Sequence, residues 1–132
     1  MEGLNIWAVI VAALSTFLIG GLWYSRALLG RLWMRENGFT EESLKGSNMA
    51  KIFGLAFLLA LIAAVNLALF LGPEDRPEMG ALWGFAAGCG WVATFIGTIY
   101  LFERKSFTLF LINAGYSVVA LTVMGVILAA WK

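Results

Sequence analysis

The chain has 132 residues, of which 61% are hydrophobic and 13% charged, with a net charge of +1. That is one domain's worth of chain and far too apolar for a soluble one, so an integral membrane protein is the class that fits. The near-neutral charge offers no basic field for nucleic acid, the single cysteine, Cys89, forbids an intrachain disulfide, and the lack of histidine excludes His-ligated metals and His-activated nucleophiles.

In chain order, the first apolar run covers residues 5–25. It follows Met1-Glu2-Gly3, which has none of the positive charge of a secretory leader, so the run is expected to stay in the protein as a helix. Asn5 is positioned to cap it. Trp7 at its first turn and Trp23 and Tyr24 at its last read as rings seated in the two headgroup layers.

Residues 27–45 are polar, yet Leu28, Leu29, Leu32 and Trp33 recur at helical spacing with Arg31 and Arg35 elsewhere on the wheel. The pattern predicts an interfacial helix stopped by Asn37-Gly38. A second short helix is expected after Thr40, with Glu41 and Glu42 in its first turn. The segment serves either to shield the edge of the bundle or to meet a partner or anionic lipid.

The second run, 50–71, is long enough to span a membrane and carries Ala56, Ala60, Ala64 and Ala68 on one ridge. Gly72-Pro73 closes it and Pro77 can open the third run, 79–102. Within that run GALWGFAAGCGWVATFIGTIYLF holds no charge, and Gly80, Gly84 and Gly88 leave one face without side-chain bulk. The short turn makes these helices antiparallel neighbours, and the expectation is that the alanine ridge packs on the glycine ridge. The third run ends at Glu103-Arg104-Lys105, and Ser106 can cap a fourth, 106–131.

The sequence therefore predicts an all-α four-span bundle in a single membrane domain, with a cytoplasmic interfacial segment between its first two spans. Four spans divide the nine Lys and Arg residues seven to two: Arg26, Arg31, Arg35, Lys45, Lys51, Arg104 and Lys105 on one side, Arg76 and Lys132 on the other. The positive-inside rule puts the seven in the cytoplasm and both termini outside.

The strings WYS at 23–25, MAKIFG at 49–54 and LFERKSFTLFLINAGY at 101–116, with the order of the elements, resemble a bacterial membrane family known as domain of unknown function 1761. The likeness covers the whole chain. It implies a small four-helix protein of the bacterial inner membrane, and it brings no catalytic, cofactor-binding or ligand residue with it.

Every Asp, Glu, Lys and Arg falls outside the apolar runs or at their ends, so the buried charge that marks proton relays and antiporters is missing, and no acid–base pair is available for an enzyme in the bilayer. Neutral polar groups remain. At ~1.5 Å of rise per residue, Ser15, Thr16, Thr94, Asn113, Tyr116 and Ser117 all fall roughly 10 to 17 Å from the cytoplasmic ends of their helices. They form an intramembrane polar layer. Asn113 and Tyr116, one turn apart, must find partners in a region without bulk water, and Ser15, Thr16 and Thr94 are the candidates at matching depth.

Two functions fit these residues. One is a non-enzymatic structural or accessory protein that acts through helix–helix contacts with itself, as a homo-oligomer, or with a larger membrane complex. The other is an oligomeric channel or carrier for a small neutral or weakly polar solute or lipid. Neither requires a cofactor, and the lipid bilayer is a partner in both. The first predicts a closed polar clamp; the second, a wet cavity that reaches Asn113.

Overall fold

Backbone donors left free at a helix start are costly where water is scarce, and four of the helices begin on a side chain that takes them up. The computed structural model describes residues 4–72 and 74–131, and all its regular structure is helical. Helix α1 (Ile6–Trp23) starts on Asn5, whose side chain accepts from the N–H groups of Trp7 and Ala8. Helix α2 (Gly30–Asn37) follows a tight turn. In α3 (Glu41–Lys45), Thr40 and Ser43 cap each other's backbone reciprocally. Helix α4 (Met49–Phe70) starts on Asn48, and α5 (Pro77–Ala87) has proline at its first position, where no N–H is needed.

After α5 comes one wide π-turn, Gly88–Val92, and then α6 (Ala93–Glu103), so the third span is a single rod with an irregular middle. Helix α7 (Phe107–Ala130) starts on Ser106, which accepts from the Leu109 N–H. Two helices end in Schellman turns. Gly38, at φ +72°, closes α2 as expected, and Arg104, at φ +58°, closes α6 although it is not a glycine. The left-handed conformation costs Arg104 on the order of 1 kcal/mol, set against the two carbonyls that the turn satisfies. The predicted stop at Pro73, the Met1-Glu2-Gly3 lead and Lys132 lie outside the described residues.

Four helices are long and apolar enough to cross a membrane: Ile6–Trp23, Met49–Phe70, Pro77–Glu103 and Phe107–Ala130. Helix α7 is their hub. It packs along α5 and against α1, α4, α6 and the wide turn, and α1 also packs on α4. The main core joins Ala8, Val9 and Ala12 of α1 to Ala64 and Leu67 of α4 and to Met124 and Leu128 of α7. Ala12 and Ala64 are fully buried, so it is small side chains that bring these backbones together.

The expected pairing of the alanine and glycine ridges is overturned. A Cβ on Gly80 or Gly84 would run into the backbone carbonyls of Gly125 and Leu121, and one on Gly88 would lie 2.8 Å from the Val118 Cα, all three on α7. Gly125 returns the contact, since a Cβ there would strike the Gly80 carbonyl. The reason is steric: a bare backbone face is best filled by another backbone, whereas an alanine ridge presents a row of methyl groups. The alanine ridge turns to α1 and α7 instead, with Ala64 buried at their junction and Ala56, Ala60 and Ala68 half-buried. The turn between α4 and α5 holds them as neighbours in sequence without making them pack along their lengths.

Replacing Gly84 by Ala should therefore lower stability by ~2 kcal/mol through overpacking against the Leu121 carbonyl. Gly54→Ala, at an open position inside α4, should be neutral or stabilising by up to ~1 kcal/mol. Thermal unfolding of the two variants in detergent checks both, and equal melting of Gly84→Ala and wild type would contradict the seam.

Candidate functional site

Asn113 lies two turns into α7, where its amide needs both an acceptor and a donor. Its Oδ1 accepts from the Tyr24 hydroxyl at 2.7 Å, and its Nδ2 donates to the Tyr100 hydroxyl at 2.6 Å. One turn on, the Tyr116 hydroxyl donates to the Thr16 carbonyl at 3.0 Å, and the Trp23 indole N–H donates to the Ile112 carbonyl at 2.8 Å. All three tyrosines of the chain thus meet around one asparagine, tying the end of α1, the end of α6 and the start of α7 together.

Local chain geometry fixes each partner. Tyr24 caps the C-terminal end of α1 and is held by a turn in which the Leu29 N–H bonds the Trp23 carbonyl and the Gly30 N–H bonds the Ser25 carbonyl. Gly30 is required there, because a Cβ would collide with the carbonyls of Tyr24 and Ser25. The Tyr24 ring lies 5.5 Å from Tyr116 and 5.7 Å from Trp33, and Trp33 lies 5.3 Å from Phe39. A chain of aromatic contacts therefore runs from the α2–α3 segment into the interior. On α7, Gly115 leaves room for the Trp23 ring, since a Cβ there would lie 2.9 Å from its Cζ2.

Tyr100 reaches the cluster because of the wide turn. An α-helix advances about 100° per residue, so in an unbroken helix Tyr100 would lie about 120° around the axis from Gly88. One extra residue absorbed in a π-turn reduces that to about 20°. The seam glycines and Tyr100 can then face α7 together, and Gly97 does so as well, packed under Phe110.

The predicted layer divides. Asn113 and Tyr116 come together with their partners. Thr16 contributes only its backbone carbonyl, for its hydroxyl donates to Ala13, and Ser15 donates to Ala12. Ser117 donates to the Asn113 carbonyl. Thr94 is a correction: it is exposed and donates to the carbonyls of Gly90 and Trp91, away from the cluster. A short hydroxyl can satisfy itself on the carbonyl one turn back, whereas a phenol is too long to do so. Trp23 and Tyr24, expected as rings at the headgroup layer, both turn their donors onto α7. Asn66 donates to the Ile62 carbonyl of its own helix.

Tyr24 and Tyr100 are cluster members that the sequence reading missed. Matching depth would have passed them over, because both sit nearer the helix ends than Asn113; the signal that could have found them is the length of a phenol, which carries a hydroxyl well beyond its own Cα. Among the described residues no buried side-chain polar atom lacks a hydrogen-bond partner, and no cluster of His, Cys, Asp or Glu could hold a metal ion.

This chain belongs to the family described as protein of unknown function DUF1761, whose family model matches residues 7–129. No curated protein and no solved structure matches it.

The cluster geometry can be tested by substitution and by changing the helical phase. Asn113→Leu removes two tyrosine contacts and should cost ~1 to 2 kcal/mol, while Thr94→Val should change nothing measurable; unfolding in detergent compares them. Deleting Cys89, an exposed residue of the wide turn, should close that turn into regular helix and keep Tyr100 in phase. Inserting one alanine after Cys89 should swing Tyr100 away. If the insertion melts with wild type and the deletion does not, the wide turn does not set the phase of Tyr100.

Proposed function

We propose that this protein is a non-enzymatic accessory protein of a bacterial inner membrane, working through helix–helix contacts with another membrane protein. The observation that carries the reading is the closed state of the polar cluster. The Asn113 amide is taken up on both sides by Tyr24 and Tyr100, and the Tyr116 hydroxyl by Thr16, which leaves those groups engaged with the protein's own chain. Such a cluster fixes helix positions; it does not offer a lining along which a solute could exchange partners.

The contact face in this reading is the crevice where α4 and the third span diverge. It encloses about 360 Å³ between Leu67, Phe70, Trp83, Ala86, Ala87 and Trp91. Ala86 and Ala87 give it a low floor and the two tryptophans give it walls, a shape that admits the ridge of an apolar transmembrane helix. In the same proposal the seven basic residues lie on the cytoplasmic side and both termini outside. The Tyr24–Asn113–Tyr100 contacts gather the helix ends next to Arg26 and Arg104, and Asn5 bonds the Trp131 carbonyl at 3.2 Å at the opposite end.

A photo-crosslinking residue at Ala87 in intact cells should give one discrete protein adduct, and adducts to lipid alone would sink the helix-contact reading. Orientation is read separately. In a Cys89→Ser background, Lys45→Cys should react with an impermeant thiol reagent only after the membrane is opened.

A further inference from the structure

Beyond the last turn of α1, the chain folds back so that Arg26, Arg31 and Arg35 surround a cavity of about 440 Å³, with Met34 and Phe39 as apolar lining and Glu41 as the one carboxylate. Three guanidinium groups face one acid. Arg26 pairs with Glu41, and Arg35 meets Glu36 only at 3.7 Å; Arg31 has no ion-pair partner among the described residues. All three arginines are exposed, and with Arg31 unpaired and Arg35 engaged only through its Nε the group keeps guanidinium donors to spare around a common space.

We infer that this cavity binds the phosphate of an anionic phospholipid headgroup. Guanidinium forks match phosphate oxygens in pairs, and the lining supplies more positive than negative charge. The depth is right for a headgroup, because Arg26 follows within three residues of the end of an apolar helix of membrane-spanning length. The apolar part of the lining suits an amphiphile better than a fully hydrated anion, since Met34 and Phe39 can take the glycerol and upper acyl carbons. Glu41 holds Arg26 at the rim and gives it up to the phosphate. An occupant also touches the interior indirectly, because Phe39 abuts Trp33, Trp33 abuts Tyr24, and the Tyr24 hydroxyl bonds Asn113. The inference rests on the four helices crossing a membrane and is independent of the helix-contact function.

The test uses the full chain in detergent, offered an equimolar mixture of phosphatidylglycerol and phosphatidylcholine and read by native mass spectrometry. Wild type should retain phosphatidylglycerol preferentially. Arg31→Gln, which breaks no ion pair, should lower that preference about fivefold, as expected for one basic residue at an anionic surface. Arg35→Gln should act alike. Lys105→Gln, on a different turn, should leave the preference unchanged, and Glu41→Gln should raise it. Equal loss in Lys105→Gln would mean a diffuse basic field and overturn the site. Loss in Glu41→Gln would mean that the loop geometry matters and the charge does not, which overturns it too. In a separate arm, inorganic phosphate alone should not raise the melting temperature of wild type above that of Arg31→Gln; if it does so as well as the lipid, the ligand is a free anion and the headgroup assignment fails.

Discussion

The close approach of α5 to α7 is the constraint on which the other contacts depend. Gly80 and Gly125 each occupy the space that the other's side chain would need, and Gly84 and Gly88 continue the seam against Leu121 and Val118. In a bilayer the hydrophobic effect does not drive helices together, so packing and a few hydrogen bonds must do it. Once α5 is fixed on α7, the start of α7 and the end of α6 are committed to the same neighbourhood. Asn113 and Tyr100 meet there, and α1 fills the remaining side with Ala8, Ala12 and Trp23.

The cluster around Asn113 differs from the seam in kind. A glycine seam tolerates some sliding, because its contacts are non-directional, whereas an amide bonded on both faces tolerates little. The two together specify the bundle: one sets how near the helices come, the other sets their register. The aromatic contacts through Trp33 extend that register to α2, which fastens an otherwise exposed polar segment to the interior.

Much of this was legible in the residues. Asn5, Thr40, Ser106, Pro77 and Gly38 mark helix ends by mechanisms that act within one turn, and they mark them in the structure. The seam glycines were legible as a bare face, but the identity of their partner was not, because the chain also supplies small residues in α1, α4 and α7. The alanine ridge of α4 was the nearest in sequence and proved to be the wrong one. Asn113 was legible because an amide in an apolar run has to be satisfied. Its partners were less so: Tyr24 reads equally well as a headgroup anchor, and the phase of Tyr100 depends on a wide turn at Gly88–Val92 that carries no charge, proline or cap to announce it.

That wide turn changes how the third span can move. A regular helix is a stiff rod that carries rotation from one end to the other, while a π-turn is a place where the backbone ladder can shift its bonding pattern by a residue. The third span is therefore a jointed shaft, and α7, with no such interruption, is a continuous one. The extra residue at Gly88–Val92 offsets α6 by about 100° against α5, whereas α7, without such a turn, holds Asn113 and Gly125 in one fixed phase.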